Sequence, residues 1–147
     1  MSDSEWDDLK AFNSKFNFPQ ADEPRHLTTA KLKERINFIR EELQELESAC
    51  LAQDLVEQAD ALVDLVYVIK GTALMLGLPW SKLWREVHRS NMVKERGMTK
   101  RGLAFDCVKP AGWKPPLIAK ILKDAGYDKN IYFNNRDFIE ELAHGDN

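Results

Sequence analysis

Ala61-Leu62-Val63-Asp64-Leu65-Val66-Tyr67-Val68-Ile69 sets a single aspartate inside an otherwise apolar run. An ionised carboxylate in that setting costs several kcal/mol unless it is paired or coordinates a cation. Asp60 lies four residues earlier and Glu57 seven. At about 100° per helical residue all three acids project along one stripe, where like charges repel by a few tenths of a kcal/mol per pair. No basic residue stands between Gln53 and Ile69, so the positive partner must come from elsewhere. A divalent metal is the simplest candidate.

The run belongs to a helix expected over residues 54–76, apolar on nearly every side and therefore central in a bundle or in a subunit interface. Gly77-Leu78-Pro79 ends it. On its N-terminal side a long helix capped by Thr28 or Thr29 runs to about Ala52, with Leu32, Ile36, Ile39, Leu43 and Leu46 as its apolar stripe. Before that, residues 17–26 hold Pro19 and Pro24 and read as a loop. Trp6, Leu9, Phe12 and Phe16 form a short amphipathic helix opened by Ser4 and Asp7. Beyond Pro79 a helix is expected over residues 80–96, with Leu83, Trp84, Val87 and Asn91 inward and Gly97 as its stop. A long ordered loop over 98–116 and a short helix over 117–125 follow, then a polar tail beyond Tyr127 that reads as loosely held. Strand signals are poor, so the expected fold is all-α, one domain with a helical bundle core. Within it residues 1–26 are an N-terminal helix and loop, 27–116 the core with a closing loop, and 117–147 a short helix and tail.

The 147 residues are enough for a core without disulfides, and Cys50 and Cys107 form no CxxC pair, which suggests a reducing compartment and no catalytic thiol. There is no long uncharged apolar run and the N-terminus is acidic, so a cytoplasmic protein with no membrane partner is expected. A net charge of -3 argues against binding a nucleic-acid polymer. Acids crowd residues 34–64 and bases residues 82–123, a division that suits a metal at one end of a pocket and an anion at the other, or two solvated faces.

The preceding long helix supplies Glu41, Glu42 and Glu45. With Ile39 at the centre of the buried stripe, Glu42 falls about 60° aside and Glu45 about 120°, while Glu41 points further toward solvent. If the two long helices pack antiparallel, Glu42 and Glu45 face Asp60 and Asp64. Four carboxylates without histidine or thiolate match Mg²⁺ or Mn²⁺ better than zinc. A di-iron site would want paired Glu-x-x-His motifs, and the one such spacing, Glu23 to His26, is interrupted by Pro24. A glutamate run alone is most often a solvated helix face; Asp64 is what shifts the weighing.

Glu41-Glu42-x-x-Glu45, the acidic pair Asp60 and Asp64, and Glu86-Val87-His88-Arg89-Ser90-Asn91-Met92-Val93-Lys94 together resemble the MazG-like, all-α nucleoside triphosphate pyrophosphohydrolases, related to phosphoribosyl-ATP pyrophosphohydrolases and dimeric dUTPases. The resemblance covers about three fifths of the chain, residues 27–116. It implies Mg²⁺-dependent cleavage between the α and β phosphates of a nucleoside triphosphate, giving the monophosphate and pyrophosphate. Two positions depart from the family pattern. Ala61 stands where Glu-x-x-Asp would put its glutamate, so either Asp60 replaces it or Glu57-x-x-Asp60 is the matching pair; and Ala104-Phe105-Asp106 replaces a frequent Asp-Gly-Lys.

On residues alone, Asn91 and Lys94 divide evenly between phosphate contacts and a structural role, and the resemblance favours phosphate. Lys109-Pro110-Ala111-Gly112-Trp113-Lys114-Pro115-Pro116 resembles the family's closing loop, in which Lys109 would meet phosphate and Trp113 would stack on a base or anchor packing. His26, Tyr67 and His144 carry no functional case. The sequence thus leads to a hydrolase with Glu42, Glu45, Asp60 and Asp64 as metal ligands, Glu41 orienting or deprotonating the attacking water, and Asn91, Lys94 and Lys109 on the triphosphate. A homodimer or homotetramer is expected. The rival is a non-catalytic helical assembly module whose acids are surface decoration.

Overall fold

The computed structural model describes residues 4–99, 101–102 and 104–128, which divide into two compact units, one of residues 4–78 with 128 and one of residues between 79 and 127. The first is made of three helices, α1 (Ser4–Lys15), α2 (Thr29–Leu51) and α3 (Leu55–Met75). Thr28 caps α2 by accepting from the Lys31 N–H at 3.2 Å, and Asp54 caps α3 by accepting from the N–H groups of Val56 and Glu57 at 3.0 and 3.2 Å. Between α2 and α3 the chain reverses at Gln53, in the left-handed region at φ 55°.

The two long helices run antiparallel. Near the start of α2, Arg35 donates from Nε to Thr72 Oγ1 at 3.0 Å and from Nη2 to the Val68 carbonyl at 2.9 Å, both late in α3. Near its end, the Ala49 carbonyl accepts from Gln58 at 3.4 Å, early in α3. The helices approach closely because Ala49, Ala61, Gly71 and Ala73 are small; a Cβ on Gly71 would lie 3.2 Å from Arg35 Nη2. Leu9 of α1, Leu27, Leu74 and Met75 complete the buried core. Lys70, also buried, is ion-paired to Glu5 at 2.6 Å and ties α1 onto α3.

Gly77 ends α3 at φ 66°, and it must be glycine, since a Cβ there would lie 2.0 Å from the Glu23 carbonyl oxygen. The proline-rich loop before α2 docks at this point: Ala21 and Arg25 donate their N–H groups to the carbonyls of Leu74 and Leu76 at 3.3 and 2.9 Å, at the carbonyl end of the helix.

The apolar surface of α3 is not central within the chain. Leu62, Val63 and Val66 are 51%, 64% and 49% exposed, and Leu43 of the α2 stripe is also exposed. Of the two places expected for this helix, the centre of the bundle is not the one found within the chain: α1 and α2 cover only part of the circumference of α3, and the rest faces outward. Among the described residues no single helix is long and apolar enough to cross a membrane.

The second unit holds α4 (Trp80–Met92), β1 (Glu95–Gly97), β2 (Asp106–Val108) and α5 (Ile118–Asp124). The expected helix over residues 80–96 is corrected here, for α4 stops at Met92 and the next residues form β1. Part of the expected loop over 98–116 is likewise β2, paired antiparallel with Glu95 opposite Val108, Arg96 opposite Cys107 and Gly97 opposite Asp106. Three-residue strands carry no readable alternation, so pairing across the turn decides the structure. The polar tail from residue 129, with His144, lies outside the described residues.

Glu86 fastens this unit. Its carboxylate accepts two hydrogen bonds from Arg89, at 2.7 and 2.9 Å, and one from the Leu117 N–H at 3.0 Å, serving the start of α5, which has no capping side chain of its own. The Arg89 and Leu117 hydrogen bonds hold its pKa down to about 2. A depressed folded-state pKa stabilises above the ordinary carboxylate range, and that contribution is lost as pH falls toward 2. Glu86→Gln is therefore expected to lower the melting temperature near pH 7, with the gap to the parent narrowing from about pH 4.5 down to about 2 in a series of thermal melts. A gap of constant size would show that the hydrogen bonds to the ionised carboxylate contribute nothing.

Candidate active site

The acids of α2 and α3 meet along the seam between these helices. The side chain of Glu42 is half-buried, and its Oε2 is buried without a hydrogen-bond partner among the described residues. Leaving a buried acceptor unsatisfied costs about 1–3 kcal/mol, more when it is charged. The Glu42 pKa is raised, first by burial and then by the negative charges of Glu45, Asp64, Glu41 and Asp60. Of the acids singled out from sequence, Glu41, Glu45, Asp60 and Asp64 thus act on this one carboxyl group, and Glu57 does not. The helical stripe explains the gathering on α3, and the antiparallel pairing of α2 supplies the rest.

The six acids Glu41, Glu42, Glu45, Glu57, Asp60 and Asp64 are not equivalent. Glu41, Glu45, Glu57 and Asp60 line an open cleft of ≈ 740 Å³ at the α2–α3 turn, which Glu42 and Asp64 do not line. Asp54 also lines it, but its carboxylate is committed to capping α3. Glu57 and Asp60 share the cleft wall, and Asp60 with Asp64 acts on Glu42, so the choice of partner for Asp64 stays between these two. Among the described residues no group of three histidine, cysteine, aspartate or glutamate side chains converges tightly enough to hold one metal ion. The donor chemistry nevertheless fits a hard divalent cation: the acids offer oxygen only, and Glu42 presents an acceptor that no group among the described residues satisfies.

Two expectations about individual residues are corrected. Asp64 is half-buried rather than enclosed, because its apolar neighbours Val63 and Val66 face outward; the strained carboxyl is that of Glu42. Asn91 is exposed rather than inward, as are Trp84 and Val87, and the buried positions of α4 are Leu83 and Ser90. Its amide therefore needs no partner inside the chain.

Lys94 and Lys109 come together within the second unit. Lys94 immediately precedes β1 and Lys109 immediately follows β2, so extending the register by one step sets them opposite each other. Both ammonium groups lie on the Trp113 ring, 5.7 and 4.6 Å from its centroid. The indole N–H of Trp113 donates to the Ser90 carbonyl at 2.8 Å, which makes this tryptophan a packing anchor. Sequence reading missed the arrangement because the hairpin that creates it was not expected. The one available signal was the spacing of Lys109 and Trp113 around Gly112, which has φ 74°.

An all-α chain with its carboxylates gathered on one interhelical seam falls in the class of MazG-like nucleoside triphosphate pyrophosphohydrolases. Residues 9–91 match the family model of phosphoribosyl-ATP pyrophosphohydrolase, more than half of the chain, and the protein belongs to that family. The match spans the acids of the seam and cleft and Asn91, and ends before Lys94, Lys109 and Trp113. Comparison with curated protein sequences finds no match. Membership makes the protein a hydrolase of the pyrophosphohydrolase type acting on nucleotides.

Proposed function

We propose that the protein is a Mg²⁺-dependent pyrophosphohydrolase of nucleoside triphosphates, deoxynucleotides included, that cleaves between the α and β phosphates to give a monophosphate and pyrophosphate. The observation that carries this reading is the partnerless buried oxygen of Glu42 among four further carboxylates. Glu42, Glu45, Asp60 and Asp64 would hold the ion, Mg²⁺ or Mn²⁺. Once bound, it supplies charge neutralisation for the phosphates and lowers the pKa of a water molecule. Glu41, exposed on the cleft wall, would orient the attacking water and accept its proton. Asn91, Lys94 and Lys109 are assigned to the triphosphate, whose charge they would offset as the bond to phosphorus is attacked in line. The outward apolar residues of α3 support assembly as a homodimer or homotetramer.

The family's namesake substrate, phosphoribosyl-ATP, carries the same triphosphate and belongs in the test. Natural and modified deoxynucleoside triphosphates and phosphoribosyl-ATP, each assayed with Mg²⁺, are expected to release pyrophosphate from at least one deoxynucleotide. Release of single phosphates would refute the reaction. Turnover of phosphoribosyl-ATP alone would refute the deoxynucleotide assignment.

A further inference from the structure

Two ammonium groups opposed across the end of a hairpin repel each other, and a chain that holds them there needs something to offset the repulsion. Among the described residues neither Lys94 nor Lys109 has a carboxylate partner. The half-buried acids of this unit are engaged elsewhere, Glu86 with Arg89 and Asp106 with Arg101 and the Cys107 N–H. Glu95 points to the other face of its strand than Lys94 does. What the two lysines share is the ring of Trp113, whose π face attracts both. That ring is held at two points: its indole N–H on the carbonyl of the buried Ser90, and its backbone N–H on the Pro110 carbonyl at 3.1 Å.

We infer that Lys94, Lys109 and the Trp113 ring form a clasp for a diphosphate group, the part of the triphosphate that leaves as pyrophosphate, with Trp113 as the residue that positions both lysines. The inference rests on the function proposed above. Two neighbouring cations without a carboxylate partner among the described residues match two adjacent phosphates, one ammonium to each. With both ammonium groups against its ring, Trp113 serves the phosphates through the two lysines.

The test is titration of the full-length chain with inorganic pyrophosphate, without Mg²⁺ or nucleotide. It is followed by the Trp113 indole N–H resonance, assigned from Trp113→Phe, and by calorimetry. The signals of Trp6, Trp80 and Trp84 serve as internal references. The Trp113 signal is expected to shift and saturate, and Lys109→Ala to weaken pyrophosphate binding about tenfold or more. Trp113→Ala removes no charge yet is expected to weaken it comparably, while Trp113→Phe retains a π face and restores most of the affinity. In turnover, Trp113→Phe should leave the ranking of bases unchanged. A Trp113 signal unmoved by pyrophosphate, a Trp113→Ala variant with parental affinity, or an equal loss in Lys114→Ala, whose charge is exposed nearby, would overturn the clasp. Catalysis is scored separately. Normal pyrophosphate release with an unchanged KM in Lys109→Ala defeats the clasp and removes Lys109 from the triphosphate, and leaves the hydrolytic reaction on the acidic seam standing. Saturable pyrophosphate binding in a chain that hydrolyses no triphosphate does the reverse.

Discussion

Glu42→Gln is expected to reduce pyrophosphate release by at least about a hundredfold, since loss of even an outer partner of a metal site costs ten- to a hundredfold, and to raise the melting temperature of the metal-free chain. Both effects have one cause. Burial and the charges of Glu45, Asp64, Glu41 and Asp60 raise the Glu42 pKa, so ionising this carboxyl opposes folding at any pH above the raised value. An amide of the same shape removes that charge and can donate to the neighbouring carboxylates. The gain should be largest near neutral pH and shrink as pH falls through the carboxylate range, where the parent is itself neutral at this position. Mg²⁺ should raise the melting temperature of the parent and not of the variant, because a ligand stabilises only the state that binds it. Asp64→Asn should likewise reduce pyrophosphate release and remove the Mg²⁺-dependent rise in melting temperature. A Glu42→Gln protein with full turnover and a Mg²⁺-dependent melting temperature would remove the metal assignment from this seam.

The second large effect is expected on assembly. Val63→Glu should convert an oligomer into single folded chains, with its dissociation constant raised at least about a hundredfold, because a carboxylate buried without a partner costs several kcal/mol. The fold of the chain should survive, since Val63 is 64% exposed and supports no core contact that the substitution would break. Sedimentation at micromolar concentration reads the mass. A melting temperature that rises with protein concentration in the parent and not in the variant gives an independent check. A parent protein that sediments as one chain would count against the proposed assembly and leave the apolar face of α3 without an occupant.

Membership in the pyrophosphohydrolase family does not by itself explain the second unit, because the matched residues stop at Asn91. The lysine pair and its tryptophan lie beyond that limit.

Much of the fold was legible because its signals are local. Thr28 and Asp54 each meet their N–H partners within three residues, Gly77 ends α3 through its own φ, and the 3.6-residue period alone aligns Asp60 with Asp64. The acidic constellation could be listed from sequence for the same reason. Which acid bears the strain could not be, since Glu42 loses solvent only through the way α2 lies on α3, and Asp64 keeps it because Val63 and Val66 turn outward. Periodicity likewise marks α3 as apolar without saying whether the same chain covers it. The β1–β2 hairpin depends on pairing residues up to thirteen positions apart, Glu95 with Val108, and with it comes the meeting of Lys94, Lys109 and Trp113. Helix ends and the stripe of acids follow from neighbours along the chain; the buried oxygen, the outward apolar face and the lysine pair follow from neighbours in space, because burial and charge proximity are properties of packing.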